Sequence, residues 1–120
     1  MAGELSFFEV GVEDTDRAMA FYTELFGWEF KTVEGGRGGS VIEGAGVRGG
    51  IHGGDEGASP YVFFKVDGMD AAVARVRELG GTADAVGDGT DDDPEMVRRF
   101  GRFMLCMDDQ GSGFGLHEPA

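Results

Sequence analysis

Apolar and polar positions alternate from Leu5 to Val12, with Phe8, Val10 and Val12 on one side and Phe7, Glu9 and Gly11 on the other. That period of two predicts a strand with one strongly apolar face and one mixed face. The period then changes. Ala18, Phe21, Tyr22 and Leu25 recur at helical spacing behind cap candidates Asp14, Thr15 and Asp16, and Gly27 supplies the stop. Short strands follow at Trp28 to Val33, Ser40 to Glu43 and Val47 to His52, the first two joined by a glycine-rich turn at Gly35 to Gly39.

The pattern then repeats. Moved forward by 54 positions without a gap, Val12 falls on Val66, Asp16 on Asp70, Ala18 on Ala72, Ala20 on Ala74, Glu24 on Glu78, Leu25 on Leu79 and Gly27 on Gly81. The second copy predicts a strand through Val62, Phe64 and Val66, a helix whose buried stripe is Val73, Val76 and Leu79, and strands at Thr82 to Val86, Arg102 to Met107 and Phe114 to Glu118. Each copy therefore reads as strand, helix and three strands, a duplicated supersecondary unit. The boundaries are 4–53 and 60–120, with 54–59 a linker within one domain. Both helices are expected on the face carrying Phe8, Val10, Phe64 and Val66. The other face, with Phe7, Glu9, Tyr61, Phe63 and Lys65, is left to line a site.

At 120 residues the chain is one domain with a core of its own, and each half alone is small enough that the halves are expected to share a core or pair with a second chain. The net charge of -13 opposes nucleic acid and anionic lipid and favours a cationic ligand; its alternative role is solubility. Cys106 is the single cysteine, which fits a reducing cytoplasm, and no apolar run has the length of a membrane helix. GGRGGS and GGIHGG lack the lysine and hydroxyl of a phosphate loop, and Asp91, Asp92 and Asp93 lack the spacing of a calcium loop.

The last strands of the copies also match, at an offset of 65, so that Gly50-Ile51-His52 lies over Gly115-Leu116-His117. The only two histidines in the chain occupy equivalent places. Alternation puts each on the side opposite Ile51 or Leu116, the side expected to bear Glu9 and Tyr61.

With VGVEDTDRAMAFYTELFGWEF near the start, VDGMDAAVARVRELGG in the middle and GRFMLCMDDQGSGFGLHEP at the end, the chain resembles the vicinal oxygen chelate superfamily of glyoxalase I, extradiol dioxygenases, fosfomycin-resistance enzymes and bleomycin-binding proteins. The resemblance covers nearly the whole chain. It implies an α+β fold of two βαβββ units forming a cup-shaped, incompletely closed mixed β-barrel, and a homodimer whose subunits frame each site. In metal-dependent members the ligands come from the first and last strands of each unit, which by this resemblance are Phe7, Gly50, Tyr61 and Gly115 here. Phenyl and glycine offer a metal nothing. The expectation is thus a small-molecule-binding protein of the glyoxalase and bleomycin-resistance type, without the usual metal or another cofactor, that sequesters an aromatic or cationic compound.

The expected ligand-binding residues are Phe7, Glu9, His52, Tyr61, Phe63 and His117. The alternative is a lyase, isomerase or dioxygenase-like enzyme. Glu9, His52 and His117 each stand two residues past a lost ligand position, and would hold a divalent metal ion only if the centre moved by roughly 6 to 7 Å. Without metal, Glu9 among aromatic side chains is the candidate general base, because desolvation raises its proton affinity. A solvated carboxylate, or an ion pair with Lys65, remains the structural alternative.

Overall fold

The computed structural model describes residues 2–33, 39–85 and 93–120. The turn expected at Gly35 to Gly39 and the acidic stretch at Asp91 and Asp92 lie wholly or largely outside them. Elements follow in the order β1 (Leu5–Gly11), α1 (Thr15–Phe26), β2 (Glu29–Thr32), β3 (Ser40–Glu43), β4 (Gly49–His52), β5 (Tyr61–Lys65), α2 (Met69–Glu78), β6 (Thr82–Ala85), α3 (Pro94–Phe100), β7 (Arg102–Met107) and β8 (Gly113–Glu118). The chain forms two compact units, Phe7–Tyr61 and Val62–Ala120, the latter including the residues up to Ser6.

In the first unit the strand order is β2-β3-β4-β1, and in the second β6-β7-β8-β5. The opening strand lies parallel to the closing strand in both, β1 on β4 and β5 on β8, and the remaining pairs are antiparallel. The same path is traced twice, as the repeat predicts: an α+β chain of two βαβββ units.

Capping follows the residues available. Asp14 accepts from the Arg17 amide at the start of α1, and Gly27 ends that helix at φ 76°, a left-handed conformation that costs glycine little. Gly68 stands at the matching place before α2 and has no side chain to offer. Glu118 of β8 supplies the acceptor instead, taking the Met69 amide at 2.6 Å.

The cores lie on the predicted strand faces. Leu79, expected in the buried stripe of α2, is 61% exposed because that helix ends at Glu78 and leaves it beyond the packed turn, and Phe21 and Leu25 of α1 are exposed too. Val10, Ile42 and Ile51 are buried in the first unit, covered by Phe8, Ala18, Met19, Tyr22, Trp28 and Phe30. Val66, Met69, Val73, Ala83, Cys106 and Leu116 form the second. Cys106 is packing, as its place in an apolar strand predicts. Trp28 stacks on Tyr22 and tilts against Phe8 and Phe26 in the helix-side core.

One element was not expected. Residues 94–100 form α3, capped by Asp93, whose carboxylate accepts from the Glu95 amide at 2.8 Å, with Pro94 in the first turn. An aspartate cap, a proline at the first helical position and a following glutamate are a helix start; the run of acid before them concealed it.

Candidate functional site

The mixed face of the first unit is built across β1 and β4, whose parallel register sets Glu9 beside Gly50 and Gly11 beside His52. Two of these four same-face positions are glycines, and the two side chains fill the space they leave. A Cβ at Gly50 would lie 2.5 Å from Glu9 Oε2; one at Gly11 would lie 2.9 Å from His52 Nε2 and 2.6 Å from Asp55 Oδ2. The Glu9 carboxylate therefore lies over Gly50, and the His52 ring and Asp55 carboxylate crowd over Gly11.

The result is one imidazole between two carboxylates. His52 Nδ1 is 3.0 Å from Glu9 Oε1, and its Nε2 is 3.0 Å from Asp55 Oδ2. Ionised carboxylates only accept, so both bonds form together when the ring carries a proton on each nitrogen. Burial works against a charged ring, but the hydrogen bonds and charges of Glu9 and Asp55 outweigh it and raise the His52 pKa above its usual 6.5. Glu9 is also raised, above 4.5, because burial disfavours its charge by more than His52 restores. The sequence offered Lys65 as the partner of Glu9; the partner found is His52.

The equivalent face of the second unit has diverged. The counterpart of Glu9 is Phe63, which is buried, and its ring fills the space over Gly115 as Glu9 fills that over Gly50. His117 is 6% exposed and stacks on Phe103, with ring centres 4.3 Å apart and planes at 6°. Its Nε2–H donates to the Phe100 carbonyl at 2.6 Å, and its Nδ1 accepts from the Ser6 hydroxyl at 2.8 Å. One donor and one acceptor suit the neutral ring. Equivalent histidines thus stand in opposite settings, one matched to two ring protons and the other to one.

Of the sequence-predicted residues, Glu9 and His52 are brought together. Phe63 packs edge-on against Phe103 at 5.2 Å, and Phe7 is buried. Tyr61 opens β5 and is partly buried. His117 is held by Ser6 and Phe100 within its own unit. Among the described residues no group of three or more His, Cys, Asp or Glu side chains is placed to hold a metal ion. Glu9 and His52 of the expected shifted centre belong to one unit and His117 to the other. The positions that hold metal in metal-dependent relatives do not fit one either, since a carboxylate of the same face fills the place over Gly50 and a phenyl ring that over Gly115.

Asp55 was read as linker and is part of the cluster. Its signal was its place three residues after His52 across a Gly-Gly pair. A separate open groove runs beside α1, β2 and β3, lined by residues that include Met19, Thr23, Glu24, Trp28 and Lys31. It contains none of the predicted site residues. Its described lining carries charged residues, Glu24, Glu29 and Lys31 among them, but no histidine; the cluster, where one imidazole meets two carboxylates, is the candidate site.

The sequence matches the family model described as a glyoxalase-like domain over residues 7–116. No curated protein matches it. Among solved structures it is similar to methylmalonyl-CoA epimerase from Mycobacterium tuberculosis, at 18% identity and a TM-score of 0.65, over 98% of this chain and 88% of that one. A Streptomyces coelicolor methylmalonyl-CoA epimerase in complex with 2-nitronate-propionyl-CoA gives 16% and 0.65, over 100% and 99%. A catechol 2,3-dioxygenase gives 18% and 0.65, over 99% of this chain and 40% of that longer one. At these identities the likeness is one of fold. The family match covers all but the ends of the chain, and with it the chain belongs to the glyoxalase-like family of the vicinal oxygen chelate superfamily.

Proposed function

We propose that this chain binds a small organic molecule, cationic or aromatic, with the Glu9–His52–Asp55 cluster as its polar anchor and without the metal of its metal-dependent relatives. The observation that carries the reading is two carboxylates converging on one imidazole at 3.0 Å each. With the ring charged, the cluster keeps one negative charge; with the ring neutral it keeps two. An ammonium group is the natural counterpart, and the chain's net charge of -13 draws it in from a distance. The reading includes a homodimer, the common assembly of short chains with this fold.

The test is a thermal-shift titration with tyramine, an aromatic cation, beside its neutral analogue 4-ethylphenol. A ligand that binds only the folded state raises stability by mass action, about 2.7 kcal/mol at a hundredfold excess over Kd. Tyramine is expected to raise Tm where 4-ethylphenol does not, and the rise should disappear in Glu9→Gln. Equal responses to the two compounds would remove the case for a cation.

A second reading is favoured by one specific observation: burial raises the proton affinity of Glu9 while an imidazole stands within hydrogen-bond reach. Such a carboxylate suits metal-free general acid–base chemistry on a bound substrate. Metal analysis of protein purified without chelator separates both readings from a metal enzyme. Stoichiometric metal that is lost in His52→Ala would refute them.

A further inference from the structure

The three side chains of the cluster become steadily less exposed along its length: 51% for Asp55, 41% for His52 and 29% for Glu9. The imidazole spans them, with one nitrogen on the surface carboxylate and the other on the more enclosed one. The outer member is also fixed by backbone. The Val12 amide donates to the His52 carbonyl at 3.0 Å, the Asp55 amide to the Val12 carbonyl at 3.0 Å, and the Gly54 amide to the Glu13 carbonyl at 3.1 Å. These bonds fold the chain after β4 back onto the end of β1, and the bare Cα of Gly11 leaves Asp55 room to reach the ring.

We propose that Asp55, His52 and Glu9 form a proton relay between solvent and Glu9, in which Asp55 is the outer carrier. The step balances. A neutral ring with its proton on Nδ1 donates to the Glu9 carboxylate. Asp55 takes a proton from water and passes it to Nε2, giving an imidazolium; the ring then releases its Nδ1 proton to Glu9 and is left with Nε2–H on Asp55. One proton has moved from water to Glu9, and the same steps in reverse return it. The charged groups that act on His52 are Glu9 and Asp55, and the one that acts on Glu9 is His52, so the chain has no side branch among the described residues. The relay gives a use to the acid–base reading of Glu9, on which its function rests, but its existence can be tested without any ligand.

The experiment is an NMR titration of the ligand-free protein, following the His52 ring nitrogens in wild type, D55N and D55E. Removing the outer carboxylate is expected to lower the His52 midpoint and to move the neutral ring toward the Nδ1–H form. D55E should restore both. An Asp55 with no part in the relay would leave His52 unmoved, and an unmoved His52 midpoint or tautomer overturns the relay. If D55N fails to fold, D55S carries the same test. Should the relay hold while tyramine fails to bind, the binding proposal falls and this one stands.

Discussion

Alanine at Gly50 and at Gly115, equivalent positions in the two units, should have opposite consequences, because different things fill the space a Cβ would need. At Gly115 the new methyl would lie 2.8 Å from Phe63 Cγ and nearer still to Cδ1 and Cε1, where contact between carbons belongs at about 3.5 to 4 Å. Phe63 is 5% exposed and braced edge-on by Phe103. The ring cannot withdraw without moving its neighbour. Overpacking of this kind costs about 1 to 3 kcal/mol, offset by the roughly 0.5 to 1 kcal/mol that replacing a strand glycine returns. The net loss of up to about 2.5 kcal/mol corresponds to a fall in Tm of as much as roughly 12 °C in a domain of this size.

At Gly50 the obstacle is Glu9 Oε2 at 2.5 Å, the end of a flexible side chain that is 29% exposed and can swing to water. Stability should stay within about 1 kcal/mol of wild type. The site should not survive, because the carboxylate leaves His52 and the midpoint of that histidine falls. Urea unfolding at neutral pH and a histidine NMR titration of both variants read the two effects. Equal destabilisation by the two substitutions, or a G50A protein whose His52 titrates as in wild type, would show that Glu9 does not occupy the place over Gly50.

The remaining predictions concern charge, the buried histidine and the unexpected helix. His52 has a raised pKa in the folded state, so its contribution is fully present below pH 6.5 and is lost as pH rises through the higher folded value. Wild type should therefore lose stability relative to His52→Gln across that window, by no more than about 1 kcal/mol for so exposed a group. Affinity for tyramine should move the other way, rising as His52 deprotonates and the negative charge of the cluster grows from one to two, which calorimetry at several pH values measures. Ser6→Ala should cost about 1 to 3 kcal/mol in urea unfolding, because it removes the hydroxyl that donates to the buried His117 Nδ1. Asp93→Ala should cost about 1 kcal/mol by removing the cap of α3, read in the same assay.

The repeat made the fold legible because it is written in backbone demands. Val10 and Val66 are core in their units, Asp14 caps α1, Gly27 takes a positive φ, and Gly50 and Gly115 hold matching places against the parallel opening strands. Such requirements act between near neighbours in the strand and helix periods, and so they survive in the sequence. The site was half legible for the opposite reason. Glu9 and His52 share a face by alternation alone, but that they touch depends on glycines at 11 and 50, and that His52 has a second carboxylate depends on how the chain turns after β4. The equivalence of the histidines even misled, since it suggested equal roles. What separates them is the residue two strands' alternation sets beside each glycine, Glu9 in one unit and Phe63 in the other. A carboxylate over glycine attracts an imidazolium; a phenyl ring there leaves the histidine to stack on Phe103 and satisfy itself on Ser6 and Phe100. Phe63→Glu would bury a carboxylate that is 5% exposed at best, beside a histidine whose nitrogens are already taken. It should destabilise the chain by several kcal/mol rather than create a second relay. A stable Phe63→Glu protein with a second histidine of raised pKa would mean that the division of labour between the units does not come from this position.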